Sequence, residues 1–235
     1  MTSSEQQKQQ TALIVGASRG LGLALASEYL KRGWRVIATV RGSGTPLHQL
    51  QPQSGDRLEI EHLDIDATGD IEALRQRLDD RSIDLLFVNA GIAIDSDKTI
   101  GQLGTEAFTR MMVTNALSPM RVIEAFDSLV APGGVIAAMS SGLASVANNT
   151  DGGWEGYRAS KAALNTLMRS YAARQPEPAR TLLLMAPGWV RTEMGGPGAT
   201  LDISESIPLV VDVMTAQTGR GGLKYLNRLG ETLPW

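Results

Sequence analysis

Short runs of consecutive apolar residues alternate along this chain with longer segments whose apolar positions recur at helical spacing. The runs are Ala12–Val15, Trp34–Val40, Asp84–Val88, Gly134–Ser140, Thr181–Met185 and Leu223–Leu226, and Leu58–Leu63 alternates apolar and polar residues as a further strand. The helical patterns cover Leu21–Leu30, Asp70–Leu78, Glu106–Leu129, Tyr157–Tyr171 and Ser204–Met214, with a short turn near Leu47–Leu50. Unbroken apolar runs suit strands covered on both faces, and strands that alternate with helices pair in parallel through right-handed crossovers. The pattern therefore predicts an α/β fold, a doubly wound parallel sheet of about seven strands with helices on both faces. Residues 1–10 are polar and Gln-rich and read as a disordered tail. Residues 11–235 contain no linker or repeat and read as one domain.

Composition narrows the functional classes. A net charge of −3 provides no basic footprint for nucleic acid. No apolar run approaches the roughly 20 residues of a membrane span, and the polar start lacks a signal core. The expectation is a cytoplasmic protein. Cysteine is absent, so thiolate chemistry and disulfides are excluded; His48 and His62 make no ligand pair, and no metal is expected.

The candidate chemistry falls at strand ends. Gly16, Gly20 and Gly22 lie between the first strand and the first helix. A strand, a glycine turn and a helix N-terminus make a phosphate cradle, although a plain tight turn has the same composition. Arg41 follows the second strand, where a dinucleotide fold places the adenosine ribose, and Val40 offers no carboxylate for a 2′-hydroxyl. Arg41 and Arg19 suit a 2′-phosphate and favour NADPH over NADH, unless both merely face solvent. Asp64 ends the third strand, where it either accepts a bond from an adenine amino group or caps the next helix. Asn115 sits inside a long helical pattern with Pro119 behind it, suggesting a kink with a polar role or a tolerated polar residue. Tyr157 and Lys161 stand four apart on one helix face. An ammonium beside a phenol lowers its pKa and suits it to acid–base work, whereas a surface helix shows the same spacing. Gly195–Thr200 is Gly/Pro-rich and reads as a mobile lid. Met139, Trp154, Trp189, Met194 and Met214 either line an apolar pocket or belong to the core.

Gly16-x-x-x-Gly20-x-Gly22, Asn89-Ala90-Gly91, Asn115, Ser141, Tyr157-x-x-x-Lys161 and Pro187-Gly188 together resemble, in order and spacing, the short-chain dehydrogenase/reductase family. The resemblance runs from Thr11 to about Trp235. The Asn148–Gly153 loop, the Tyr157–Asn165 run and the Leu-Pro-Trp ending are similar to its C-factor-type branch of small carbonyl reductases. The resemblance implies a Rossmann fold and reversible NADPH-dependent reduction of a small-molecule carbonyl. It implies Tyr157 as acid and base, Lys161 as its pKa-lowering neighbour and ribose contact, Ser141 as substrate anchor and Asn115 as holder of a relay water. It implies a pyrophosphate loop of Gly16, Ser18, Arg19, Gly20, Leu21 and Gly22. Asp64, Asn89, Ala90 and Gly91 match adenosine-side contacts; Pro187, Gly188, Val190 and Thr192 match contacts to the nicotinamide amide. It also implies a homodimer or homotetramer built on the helices of Phe108–Phe126 and Leu164–Tyr171. The chain departs from the family in three places. Val15 stands where a threonine is usual, which removes one stabilising hydroxyl. The Ser141–Tyr157 step is long, leaving Ser140, Ser141 and Ser145 as candidates. The segment after Thr192 is short, which leaves the pocket open or completed by a second subunit. An alternative is a dinucleotide-binding signalling protein without turnover, although a sensor has no need of the full tyrosine–lysine–serine–asparagine set.

Overall fold

The computed structural model describes residues 9–175 and 180–235; most of the expected N-terminal tail lies outside them. The sheet has seven parallel strands: β1 (Thr11–Val15), β2 (Arg35–Val40), β3 (Leu58–His62), β4 (Ile83–Val88), β5 (Val130–Met139), β6 (Thr181–Ala186) and β7 (Gly222–Asn227). Their spatial order is β3-β2-β1-β4-β5-β6-β7. The order reverses between β1 and β4, so a crevice opens at the carboxyl ends of those two strands. The helices are α1 (Gly20–Lys31), α2 (Gln51–Ser54), α3 (Thr68–Arg77), α4 (Thr105–Met112), α5 (Ser118–Phe126), α6 (Glu155–Ala173) and α7 (Ile203–Ala216).

Side chains alternate across the strands and build two cores. Leu13, Val15 and Ile37 face Leu74, Ile123, Phe126 and Leu164 of α3, α5 and α6. Ala12, Ile14 and Val36 face Leu25 and Val210 of α1 and α7. The inner strands carry consecutive apolar residues because both their faces are covered, while the edge strand β3 alternates.

Three segments depart from the expectation. The fifth strand begins at Val130 instead of Gly134, and its register against β4 shifts between Ile83 and Leu85 around the Pro132-Gly133 bend. The long pattern ending at Leu129 is not one helix. Between α4 and α5 the backbone opens into a π-helical turn, Val113–Leu117, with Asn115 at its centre. Pro119 cannot donate the backbone bond that the preceding turn needs, which suits a turn of wider pitch there. Asp66 accepts bonds from a hydroxyl within that turn, Thr114 Oγ1 at 2.6 Å, and from one just after it, Ser118 Oγ at 2.7 Å. Finally, the expected lid is stapled down: Trp189 Nε1 donates to the Gly195 carbonyl, Arg191 donates to the Ala199 carbonyl, and Ala199 is buried.

Candidate active site

The glycine loop leaves β1 at the crevice. Gly16 has φ +86°, and a Cβ there would stand 2.8 Å from Ala90 Cβ. At Gly22 a Cβ would stand 2.0 Å from the Gly16 carbonyl oxygen, so no larger residue lets α1 start so close to the turn. Three bonds fix the loop. Gly16 N–H donates to Thr39 Oγ1 at 3.0 Å, Ala17 N–H to the Thr39 carbonyl at 2.8 Å, and Asn89 Nδ2 to the Gly16 carbonyl at 2.9 Å. The hydroxyl expected to be missing because of Val15 is thus supplied by Thr39 of β2. Asn89, expected on the adenosine side, uses its amide to hold the loop. Ser18 and Leu21 are partly exposed on the loop and on the first turn of α1. No side chain caps α1 and no acid lies in its first turn, so its leading N–H groups stay available to an anion.

Arg19 is exposed and pairs with Glu193 at 2.5 Å, linking the glycine loop to the segment after β6. Arg41 is exposed directly after β2, and its carbonyl accepts a bond from His62 Nε2 at 3.1 Å. Asp64 does not cap α3. Its Oδ1 accepts from Asp66 N–H at 3.1 Å, and α3 starts at Thr68, behind Ala67, without a side-chain cap. Gly188 has φ +90° and Pro187 accepts a bond from Ser206 Oγ at 2.7 Å. Val190 bridges to Leu201, and Thr192 Oγ1 accepts from Gly195 N–H at 3.0 Å. Thr192 Cγ2 lies 3.9 Å from where a Gly20 Cβ would be, so these two stretches face each other across the crevice.

Tyr157 and Lys161 lie on the buried face of α6, 9% and 3% exposed, which excludes the surface-helix reading. Lys161 Nζ is 5.9 Å from the centre of the Tyr157 ring and donates to the Met139 carbonyl at 2.9 Å. A Cβ on Gly91 would stand 3.2 Å from both Lys161 Nζ and Asn115 Oδ1, so these side chains converge on the end of β4. Asn115 is fully buried. Its Oδ1 accepts from Ile92 N–H at 2.8 Å, while its Nδ2 donates to the Ile92 carbonyl at 2.7 Å and to Ser160 Oγ at 2.9 Å. Asn115 therefore ties the β4 loop to α6, a polar role for the residue at the π-turn.

The three serines separate by their partners. Ser140 Oγ donates to Asn165 Oδ1 at 2.7 Å, and Ser145 Oγ accepts from Asn148 N–H at 3.1 Å. Ser141 Oγ accepts from Leu143 N–H at 3.1 Å, and Ser141 is the one of the three that favours the charged form of the Tyr157 phenol. Its carbonyl accepts a bond from the Tyr225 hydroxyl, and Trp235 packs against the Tyr225 ring at 5.6 Å.

Burial dominates the titration of both groups on α6. It pushes the Tyr157 phenol up to about 12, with the Ser141 hydrogen bond opposing it, and pulls the Lys161 amine down to about 8. The expected depression of the phenol by its amine neighbour is not what this arrangement gives. Desolvation outweighs the hydrogen bond, and the amine is turned onto the Met139 carbonyl. Of the apolar candidates, Met139 and Met214 are core, Trp189 and Met194 are exposed beyond β6, and Trp154 lies against Tyr157.

The short chain dehydrogenase family model matches residues 10–199. A Burkholderia multivorans chain assigned to the short-chain dehydrogenases/reductases, crystallised with bound NADP, is 54% identical, with a TM-score of 0.95 over 97% of this chain and all of that one. A carbonyl reductase of Pseudomonas aeruginosa in complex with NADP is 39% identical, with a TM-score of 0.90 over 97% of this chain and all of that one. The C-signal protein of Myxococcus xanthus is 34% identical over 65% of this chain and 93% of its own length. This chain belongs to the short-chain dehydrogenase/reductase family.

Proposed function

We propose that the chain is an NADPH-dependent reductase of small carbonyl compounds, working reversibly, with Tyr157 as its acid and base. The observation that carries this is the burial of a phenol and an amine on one face of α6, at the crevice, with the amine beside Gly91. The pinned glycine loop and the uncapped start of α1 fit a pyrophosphate. Gly16, Ser18, Arg19, Gly20, Leu21 and Gly22 would hold it, Asp64, Ala90 and Gly91 would flank the adenosine, and Pro187, Gly188, Val190 and Thr192 the nicotinamide amide. Bound NADPH supplies the hydride.

In this reading the phenol, protonated at neutral pH, donates its proton to the substrate oxygen while Ser141 Oγ holds that oxygen in line. The Lys161 amine bonds the ribose and, when charged, favours the phenolate that remains. Asn115 fixes the β4 loop and, through Ser160, the turn of α6 that carries Tyr157; the family's relay water would lie beside it. The neighbours' bound NADP and the absence of an acid at Val40 support the 2′-phosphorylated cofactor. A panel of aldehydes and ketones with NADPH, followed by loss of nicotinamide absorbance, tests the reading; no oxidation of NADPH with any member would sink it. Arg41→Ala should weaken NADPH binding about tenfold and NADH binding hardly at all. Equal weakening in a titration of both cofactors would remove Arg41 from the 2′-phosphate.

The same reading includes self-association. Phe108, Met112, Val113 and Leu117 of α4 and the π-turn, with Ala163 and Leu167 of α6, line an open apolar groove of about 310 Å³. Leu117 and Leu167 are exposed there at 41% and 39%, an apolar face that a second subunit would cover. Leu167→Asp should lower the mass seen by light scattering to that of the monomer. An unchanged mass would move the interface elsewhere. Among the described residues, no helix is long and apolar enough to cross a membrane.

A further inference from the structure

The backbone leading into α6 is left-handed for three residues. Gly152 and Gly153 both have φ +67°, and Trp154 follows at φ +53°, ψ +32°. Glycine adopts this conformation freely; an L side chain does not. Among the described residues, Asp95 is the only other non-glycine with positive φ, and aspartate tolerates it. A bulky indole there is an outlier, and such strain persists where the surroundings over-determine it.

The restraint is Arg158. Its Nε donates to the Gly153 carbonyl at 2.9 Å and its Nη2 to the Gly152 carbonyl at 3.0 Å, while its backbone N–H bonds the Trp154 carbonyl at 2.8 Å. One side chain, one residue past Tyr157, thus clamps both glycines that lead into Trp154, and the first backbone bond of α6 holds the Trp154 carbonyl. The turn delivers the Trp154 ring to Tyr157, with centres 5.6 Å apart and planes at 77°, an edge-to-face contact. The indole remains partly exposed, so it has both a surface on the phenol and a surface left open beside it.

Glycine at position 154 would remove the strain, yet a large flat ring stands there, next to the group that would protonate the substrate. We propose that Trp154 is the aromatic wall of the substrate site, selecting carbonyl compounds that carry a flat aromatic group over short aliphatic ones, and that Arg158 is the positioning residue that holds it. This rests on the carbonyl-reductase reading and names its substrate class.

The test compares benzaldehyde with propanal, in the full chain with NADPH, for wild type, Trp154→Ala, Trp154→Phe, Trp154→Gly and Arg158→Ala. Trp154→Ala should lose about 10-fold in kcat/KM for benzaldehyde, mainly through KM, and stay within about 3-fold for propanal. Trp154→Phe should keep most of the benzaldehyde rate. Trp154→Gly should lose the aromatic preference with a melting temperature at or above that of Trp154→Ala, which separates lost recognition from lost folding. Arg158→Ala should move the benzaldehyde-to-propanal ratio in the same direction; an unchanged ratio would remove Arg158 from the proposal. If Trp154→Ala leaves the ratio at the wild-type value, or wild type shows no preference for benzaldehyde, the Trp154 proposal fails and the reductase reading stands. If wild type oxidises NADPH with neither aldehyde nor with the wider panel, the reductase reading fails and the substrate class with it.

Discussion

Tyr157→Phe should abolish carbonyl reduction while leaving NADPH bound. The substitution removes one hydroxyl from a ring that is 9% exposed and keeps the edge-to-face contact with Trp154. The volume of the site is preserved, and the glycine loop, held by Thr39 and Asn89, is untouched. The loss should be about 10²–10⁴-fold in kcat, the usual contribution of a positioned general acid. Cofactor affinity, read by the fluorescence of bound NADPH, should stay within about 3-fold. The pH dependence follows from burial. With the phenol pushed up to about 12, it stays protonated up to pH 9 and beyond, so reduction should be flat from about pH 6 to 7 and should fall only near pH 8, where the Lys161 amine loses its charge. Alcohol oxidation needs the phenolate and should rise with pH over the same interval. Reduction surviving in Tyr157→Phe would transfer the proton donor to another group and end the proposed mechanism.

Much of this arrangement could be read from the chain because the sheet is covered on both faces. Most strands carry a run of consecutive apolar residues, the edge strand β3 alternates, and the motifs follow strand ends at the crevice. Strand and helix limits moved by a few residues, most at β5, where Pro132 and Gly133 interrupt a strand that begins at Val130. What escaped were contacts between segments distant in sequence. Thr39 looked like one polar position in an apolar run, yet its hydroxyl anchors the glycine loop from the neighbouring strand. Tyr225 was one aromatic in the last strand, and only the β6–β7 pairing brings its hydroxyl to the Ser141 carbonyl. Asp66 sat beside a more conspicuous acid, Asp64, and no local pattern announces its two bonds across to the π-turn. The titration of Tyr157 departs from the spacing-based expectation for a related reason. Spacing places an amine near a phenol, but it does not say how much water both lose when their helix face is buried.

That desolvation also makes the stability of the fold depend on pH. The Lys161 amine falls from 10.5 to about 8 on folding, because a charged ammonium is costly in this dry site. Below about pH 8 the group is charged in both the folded and the unfolded chain, and the full cost is present. Between pH 8 and 10.5 the unfolded chain holds more protons than the folded one, so stability rises with pH. A shift of about 2.5 units corresponds to about 3 kcal/mol. Lys161→Met keeps the shape of the side chain and removes the charge, but it strands the Met139 carbonyl, which costs about 1 kcal/mol. At pH 7 the variant should therefore be more stable than wild type by about 2 kcal/mol in urea unfolding, and almost inactive. Its advantage should shrink by about 3 kcal/mol between pH 8 and 10.5, as the wild-type amine loses its charge in the unfolded chain as well. The Tyr157 shift is common to both proteins and cancels in the difference. In the proposed mechanism the site uses an amine that costs stability at neutral pH. A Lys161→Met protein less stable than wild type at pH 7, or an advantage that ignores pH, would show instead that the ammonium holds the fold together.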